Sequence, residues 1–250
     1  MRLPDFIIGG APRCGTTWLY HLLSRHPGVH MAAPVRPEPK FFLVDDLYAR
    51  GLAQYSATWF ASAPPDRRCG EKSANYLESA EAARRIRRDL PSIRLIFILR
   101  EPAERAWSNY LWSRMNGLEK ETFERALDLE EEREAKVAAE HRFSRPHAYF
   151  SRGLYADLLQ PWFALFARER ILCLRFEDIL ENAGDVAARV QRFLELPQRR
   201  EDAQGLGAVN ASEADTAGLA LEARARLASR YAGPSRRLCA LLGPDFGTWA

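Results

Sequence analysis

The segment that most restricts the fold of this chain is an apolar run followed by a glycine turn and a helical pattern. Residues 5–9 (DFIIG) form a short apolar run that ends in glycine, as a buried strand does. Residues 16–25 place apolar side chains at helical spacing, and His26-Pro27-Gly28 ends that pattern. The turn between them, residues 10–15, reads G-x-x-x-x-G. This order predicts an α/β fold with an anion-binding turn after its first strand.

The same alternation of apolar runs and helical patterns continues along the chain. Residues 94–99 (RLIFIL) and 171–176 (ILCLRF) have the length and composition of buried strands. Strands that are apolar on both sides and separated by helices form a parallel sheet that is covered on both faces. We therefore predict three layers, with a central parallel β-sheet flanked by helices. Further helical patterns cover residues 48–61, 79–90, 101–115, 122–140, 153–166, 185–194 and 219–231.

Composition narrows the class of protein further. Of the 250 residues, 47% are hydrophobic and 28% are charged, which is typical of a globular protein, and we predict a single domain over residues 1–250. The balance of 36 Lys and Arg against 33 Asp and Glu argues against a general nucleic-acid binder. No apolar run is long enough to predict a transmembrane segment. The four cysteines form no CxxC or Cys/His cluster, which indicates neither zinc nor disulfides and favours a cytoplasmic location.

The glycine turn differs from the nucleotide triphosphatase pattern at one position. That pattern places Lys after its last glycine, and here Thr16 stands at the lysine position. The cation lies inside the turn instead, at Arg13. Because the triphosphatase lysine bridges the β- and γ-phosphates, its absence disfavours triphosphate hydrolysis. A cation inside the turn suits a shorter group at a 5′ position, and an ordinary glycine turn is the alternative.

The carboxyl ends of the predicted strands are the places where parallel sheets bind ligands. This rule selects residues 9–17, 71–76 and 100–108. In the last of these, Arg100 stands at the strand end and Ser108 follows about two helical turns later. Both would reach one anion if the helix packs back over the sheet, Arg100 with a charged fork and Ser108 with a hydroxyl.

Three other polar residues near these strand ends have competing interpretations. Arg105 is an alternative anion ligand, but its spacing also suits an ion pair with Glu101 on the same helix. His26 and His30 follow the first helical pattern closely. His26 is predicted to close that helix rather than to take part in catalysis.

Several segments resemble one enzyme family, and together they cover nearly the whole chain. GAPRCGTTWLYHLL, which begins at Gly10, is similar to the loop of sulfotransferases that binds the 5′ end of 3′-phosphoadenosine 5′-phosphosulfate (PAPS). LIFILREPAERAWSNYLW is similar to their 3′-phosphate motif, with arginine at the strand end and serine eight residues later. PEPKFF and GEKSANYLES resemble segments of the heparan-sulfate type of enzyme. RGLYADLLQPWFALF and RLCALLGPDFGTW resemble the family's later helices.

The resemblance implies a P-loop-like fold and a sulfotransferase that needs no metal. Such an enzyme moves a sulfuryl group from PAPS to a hydroxyl or amino group and releases 3′,5′-adenosine bisphosphate (PAP). The resemblance implies that Arg100 and Ser108 bind the 3′-phosphate of the donor. Many members have lysine where this chain has arginine in the turn, and a guanidinium can serve the same role. The residues implied at the 5′ end of the donor are Arg13, Cys14, Gly15, Thr16, Thr17 and Trp18.

Glu38 is the predicted base that removes the proton of the acceptor. It lies in a proline-rich loop at residues 34–39, and the prolines stiffen that loop and hold the carboxylate. Members of the family usually have a lysine before this glutamate, whereas this chain has Pro37 there, with Arg36 one residue earlier. Lys72 matches the lysine of the EKS segment and is predicted to contact the sulfate or the acceptor.

The acceptor side is less closely defined by the sequence. Lys40 and Tyr76 are further candidates for acceptor contacts. The PEPKFF and EKSANY segments favour a carbohydrate acceptor, and a small molecule or a lipid stays open. Five aromatic residues, Tyr76 among them, are predicted to build the core and the pocket wall: Phe41, Phe42, Tyr76, Trp107 and Tyr110.

Two polar stretches are predicted to set acceptor selectivity: the helix at residues 122–140 and the irregular stretch at residues 197–215. Glu130, Glu131 and Glu132 are expected to form a solvated helix face. Two alternatives to a sulfotransferase are kept. One is a small P-loop kinase, and the other is a nucleotide-binding regulatory protein without turnover.

Overall fold

Five parallel strands form one sheet within the residues that the computed structural model describes, which are 1–207, 218–243, 246 and 249. Their order across the sheet is β2-β3-β1-β4-β5, and every neighbouring pair is parallel. The predicted α/β fold with a parallel sheet is therefore confirmed. The strands are β1 (Phe6–Gly10), β2 (Val29–Met31), β3 (Arg68–Lys72), β4 (Arg94–Leu99) and β5 (Ile171–Arg175).

The helices surround this sheet because its central strands are apolar on both faces. All of β1 is buried, and so is β4 after its first residue. A strand of this kind needs cover on each side of the sheet. The α-helices within the described ranges are α1 (Thr16–Arg25), α2 (Asp45–Tyr48), α3 (Gly51–Trp59), α4 (Ala80–Asp89), α5 (Pro102–Met115), α6 (Phe123–Asp128), α7 (Glu130–Ala135), α8 (Tyr155–Leu165), α9 (Phe176–Phe193) and α10 (Leu221–Leu242).

The helix starts next to the site follow from local sequence. Ser79 caps α4 by accepting the N–H of Ala82. Glu101 caps α5 by accepting the N–H groups of Ala103 and Glu104, and Pro102 fills the first position, where a backbone N–H would have no helical partner. These caps fix where the chain changes direction after β3 and β4.

The core contains the aromatic residues that the sequence assigns to it. Phe41 and Phe42 are buried in the main cluster with β1, β4 and α8. Tyr110 is buried in a second cluster on α5, with Trp107 packed against it. The prediction that these residues build the interior is confirmed.

Several predicted element bounds are wrong. Of residues 48–61, residues 51–59 form α3, and Tyr48 is the last residue of α2. The segments that become β2 and β3 are too short or too polar to stand out in the sequence. The predicted helix at residues 185–194 is the second half of α9, which begins at Phe176 and is kinked at Asn182, whose side chain accepts the N–H of Asp185. Of the stretch at residues 197–215, residues 208–215 lie outside the described ranges.

The predicted long helix at residues 122–140 is also wrong, and Glu130 explains why. The chain forms α6, α7 and a short 3₁₀ helix from Ala139 to Ser144. Glu130 is buried rather than solvated, and its carboxylate accepts the backbone N–H groups of Tyr149, Phe150 and Ser151. This carboxylate therefore ties α7 to the segment that precedes α8.

In the part of the chain that the structure describes, no helix is long and apolar enough to cross a bilayer. Over the same residues, no three His, Cys, Asp or Glu side chains are grouped as metal ligands would be.

We expect Glu130→Ala to destabilise the protein by about 2–4 kcal/mol, because it removes the acceptor of the Phe150 and Ser151 N–H groups and one of the two acceptors of the Tyr149 N–H group. The measurement is urea unfolding followed by circular dichroism. Glu131→Ala, at the next and exposed position of α7, is the matched control and should change stability by less than ~0.5 kcal/mol. Equal effects of the two substitutions would contradict the anchoring role of Glu130.

Candidate active site

The three strand ends selected from the sequence lie side by side. β1 is hydrogen-bonded to β3 on one side and to β4 on the other. Because all three strands are parallel, residues 9–17, 71–76 and 100–108 leave the same edge of the sheet. This edge is the candidate active site.

The turn after β1 has the form of an anion cradle. Gly15 has a φ of 85° and precedes α1, and a Cβ at this position would lie 2.9 Å from Phe176. Within the described residues, no side chain caps α1 and its first turn carries no acidic residue. The first N–H groups of a helix have no helical acceptor, so this end of α1 offers donors and the positive end of a dipole to an anion.

Two residues of the predicted 5′ site can contribute only their backbone. The Cys14 side chain is buried, with its Sγ atom 3.8 Å from the Tyr155 hydroxyl. Burial raises the pKa of the Cys14 thiol to about 11, so it is a neutral thiol near pH 7. The Trp18 side chain belongs to the main core. Thr16 and Thr17 are also largely buried, at 5% and 9% exposure.

The structure brings the two predicted donor motifs into direct contact. Arg13 lies in the turn after β1, and its Nε atom donates to Ser108 Oγ on α5 at 3.2 Å. α5 therefore packs back over the strand ends, as the convergence of Arg100 and Ser108 on one anion requires. The contact joins segments that are 95 residues apart in the sequence.

Arg100 lies at the other side of the same turn. Its guanidinium is 4.9 Å from the centre of the Phe176 ring and its Nη2 atom is 3.6 Å from a carboxylate oxygen of Glu104. Its carbonyl oxygen accepts the Tyr155 hydroxyl at 2.9 Å. Since the same hydroxyl lies against Cys14, Tyr155 links the turn after β1 to the end of β4.

Arg105 is not available as the alternative anion ligand. It is fully buried and donates to the carbonyl oxygen of Tyr149. The alternative ion pair with Glu101 is wrong as well, because that carboxylate accepts the two N–H groups at the start of α5. Arg105 therefore supports the interior beneath α5.

Glu38 and Lys72 meet at the end of β3. Lys72 Nζ forms a salt bridge with Glu38, and the two side chains are 3% and 14% exposed. The second carboxylate oxygen of Glu38 accepts the N–H of Ala74 at 3.2 Å. The chain from Ala74 to Leu77 also lies against Gly10, where a Cβ would be 2.9 Å from the Ala74 carbonyl oxygen. The predicted base thus lies next to the turn that holds Arg13.

The other acceptor candidates differ in accessibility. Lys40 is partly exposed; its N–H donates to Ser73 Oγ at 2.9 Å, and its Nζ atom lies 5.3 Å from the centre of the Phe143 ring. The prediction of Tyr76 as an acceptor contact has to be corrected, because this side chain is fully buried and its hydroxyl accepts the N–H of Phe42.

His26 closes α1, as predicted. It lies at the C-terminal end of the helix, where its Nδ1 atom accepts the N–H of Gly28 and its Nε2 atom lies 2.9 Å from the carbonyl oxygen of Pro197. His30 is on β2, next to β3 at the sheet edge. Neither histidine is grouped with the Glu38–Lys72 pair.

Sequence reasoning missed two residues that shape the site, Phe176 and Tyr155. Phe176 follows β5, so the strand-end rule would have selected it if it had been applied to residues 171–176. Tyr155 carries no such signal, because it begins a helix about 50 residues after β4 and reaches the site only through packing.

Comparison with known proteins gives a consistent result. A model of the sulfotransferase domain family matches residues 3–206. The chain is 31% identical over 202 residues to the human heparan sulfate glucosamine 3-O-sulfotransferase 6, covering 78% of this chain and 53% of that protein. It is 28% identical over 212 residues to the bifunctional heparan sulfate N-deacetylase/N-sulfotransferase of Drosophila melanogaster, covering 78% of this chain and 20% of that protein. The chain thus spans about half of the first relative and a fifth of the second.

Solved structures show the same fold. The crystal structure of a sulfotransferase from Alicyclobacillus acidocaldarius matches with a TM-score of 0.80 and 24% identity, over 97% of this chain and 96% of that one. A mouse sulfotransferase complexed with PAP matches with a TM-score of 0.60 and 14% identity, over 96% of this chain and 86% of that one. These likenesses establish the three-layer α/β arrangement predicted from the sequence.

We expect Arg100→Ala to weaken PAP binding by about 10–100-fold, because one charge-assisted contact to a phosphate is lost. Binding of adenosine 5′-phosphate, which lacks the 3′ group, should change less than ~2-fold. Isothermal titration calorimetry measures both ligands. Arg87→Ala, which removes an exposed guanidinium from α4, is the control. Equal loss of affinity for the two ligands would show that Arg100 does not recognise the 3′-phosphate.

Proposed function

This chain belongs to the sulfotransferase domain family, and we propose that it transfers a sulfuryl group from PAPS to a hydroxyl or amino group of an acceptor. The observation that carries the proposal is the hydrogen bond from Arg13 to Ser108. It brings a 5′ anion cradle and a 3′-phosphate motif to one edge of the sheet. A nucleotide with phosphoryl groups at both ends matches this pair of sites.

The donor set at this edge fits PAPS. The uncapped start of α1 offers backbone N–H groups, and Arg13 adds a cation to the same turn. We assign the 5′ end of the donor to this turn, with Thr16 and Thr17 as hydroxyl donors. We assign the 3′-phosphate to Arg100 and Ser108.

The donor supplies the sulfuryl group, which the acceptor receives by in-line displacement. In this proposal Glu38 accepts the proton of the acceptor group. Lys72 fixes the carboxylate through the salt bridge, and the N–H of Ala74 fixes its second oxygen, so the base is oriented before the acceptor arrives. Arg13 and the hydroxyls at the start of α1 stabilise the negative charge that collects at the 5′ end during transfer.

Glu38 and Lys72 have two roles each in the proposal. They carry the catalysis, and they also contact the acceptor, since the reacting atom must come within hydrogen-bond distance of the base. Lys40 is the outer acceptor contact, because it is partly exposed and lies two residues from Glu38. Tyr76 is left out of this set because it is fully buried.

The acceptor class that we propose is a carbohydrate with a free hydroxyl or amino group. Support comes from the names of the relatives, which act on heparan sulfate, and from the PEPKFF and EKSANY segments. A small molecule and a lipid are the alternatives. A cytoplasmic location stays a prediction from cysteine usage.

The competing functions have less support. A P-loop kinase would need the lysine that Thr16 replaces, and the matching family is a sulfotransferase family. A regulatory protein without turnover would bind PAP but would not transfer sulfate. An acceptor screen with purified protein, PAPS and mass-shift detection separates these functions. A gain of one sulfuryl group on an acceptor supports the proposal, and its absence across carbohydrate, phenol and lipid acceptors would contradict it.

We expect Glu38→Gln to lower turnover by about 10²-fold or more, because the amide cannot take the acceptor proton. The dissociation constant of PAP should change less than ~2-fold, because Glu38 is assigned to the acceptor side. Turnover is measured with labelled PAPS, and Glu169→Gln, at an exposed position before β5, is the control. Near-normal turnover of Glu38→Gln would move the base to another residue.

A further inference from the structure

A buried carboxyl that the proposed function does not use lies on β3, at the residue before Lys72. Glu71, on β3, is fully buried, and its Oε2 atom accepts the Tyr55 hydroxyl at 2.7 Å. Its Oε1 atom has no hydrogen-bond partner within the described ranges. A carboxyl in an apolar interior is costly, so its presence beside the candidate base requires an explanation.

The groups beside Glu71 also hold the Glu38 loop, which we define as residues 34–42. The ring of Tyr55 on α3 stacks on Phe41, with 4.4 Å between the ring centres and 19° between the ring planes. The Tyr76 hydroxyl accepts the N–H of Phe42 at 3.2 Å. Tyr55, which donates to the Glu71 carboxyl, and Tyr76, whose hydroxyl lies beside that carboxyl, therefore hold the end of the loop whose middle carries Glu38.

Three elements place titratable groups beside the Glu71 carboxyl. α3 contributes Tyr55, the segment after β3 contributes Tyr76, and the Glu38 loop contributes the negative charge of Glu38. Lys72, the next residue of β3, forms its salt bridge with Glu38. Burial raises the pKa of Glu71 to about 7, outweighing the hydrogen bonds of the two tyrosines, and the charge of Glu38 adds to the increase.

We propose that Glu71 is a positioning residue for sulfuryl transfer, because its carboxyl accepts the Tyr55 hydroxyl and lies beside the Tyr76 hydroxyl, and these two tyrosines hold the Glu38 loop against β3. The inference rests on the proposed function only in so far as Glu38 is the base. Glu71 itself touches neither donor nor acceptor, since it has no exposed surface.

The direction of the pH effect follows from proton linkage. With the loop closed, the pKa of Glu71 is about 7, and hydration on opening returns it toward its ordinary value of 4.5. Between these values the closed form binds more protons than the open form. Raising the pH through this window therefore favours opening of the Glu38 loop, and the closing contribution of Glu71 is lost above about 7.

The first test compares three variants by hydrogen exchange and by turnover. We expect Glu71→Ala and Tyr76→Phe to speed exchange of the amides at residues 40–42 at least ~5-fold, because the contacts that hold the loop are lost. Turnover should fall at least ~10-fold, with the dissociation constant of PAP changed less than ~2-fold. Tyr48→Phe is the matched control: its ring packs on the same two phenylalanines, but its hydroxyl bonds to Asp89 outside the Glu71 cluster. It should change none of these quantities.

The second test uses Glu71→Gln, which keeps the size and the acceptor oxygen of the neutral acid but cannot ionise. At pH 6 this variant should retain wild-type loop protection and most of the turnover. As the pH rises to 8, the wild type should lose loop protection relative to Glu71→Gln at each matched pH.

The outcomes distinguish this inference from the proposed function. Loop exchange that is unchanged in Glu71→Ala, or that changes equally in Tyr48→Phe, would overturn the positioning role. Parallel pH profiles of the wild type and Glu71→Gln would do the same. If the exchange results are as expected but the wild type transfers no sulfate to any acceptor, the positioning of the loop stands and the proposed function fails.

Discussion

The hydrogen bonding of β1 between β3 and β4 is the constraint on which the whole site depends. Ile8 lies in register with Lys72 on β3 and with Ile96 on β4, so the three strands end at one edge. The segments that follow parallel strands all leave the same edge of the sheet. Here each of these three segments carries a charged or anion-binding group. The cradle after β1 thus lies between the Glu38–Lys72 pair and Arg100, and the donor and acceptor sides share one central strand.

Two groups of residues form the site, and they differ in their exposure to water. At the sheet edge, Arg13 donates to Ser108, and Arg100 lies against the Phe176 ring and Glu104. Beneath the edge, the carboxyl of Glu71 lies among aromatic rings without exposed surface. Partly exposed cations exchange partners more easily than buried groups do, whereas a buried carboxyl holds its neighbours in one arrangement. The two arginines can therefore bind and release a nucleotide while Glu71 and its aromatic neighbours keep Glu38 in place.

The sequence predicts a strand correctly where the local residue pattern matches the position of that strand in the folded protein. β1, and β4 after its first residue, are apolar and lie in the centre of the sheet, so their composition reveals them. The sequence placed a strand end at residues 71–76 but did not delimit β3 itself, because RCGEK is polar, although four of its five residues are buried. Glu130 was misread for the same reason, since its burial depends on N–H groups about 20 residues away. The burial of β3 and of Glu130 depends on how distant segments pair, and a local sequence pattern does not contain that information.

The sequence by itself determined the strands β1, β4 and β5, the glycine turn with Arg13 in place of a lysine after it, and the strand ends that carry the polar residues. These are properties of short segments, because periodicity and turn chemistry act over a few residues. Only the tertiary structure decided that Arg13 meets Ser108, that Tyr155 links the two donor motifs, and that Glu130 lies in the interior. The physical reason is that burial and long-range hydrogen bonds depend on which distant segments pack together, and this is fixed only when the sheet and its helices close on one core.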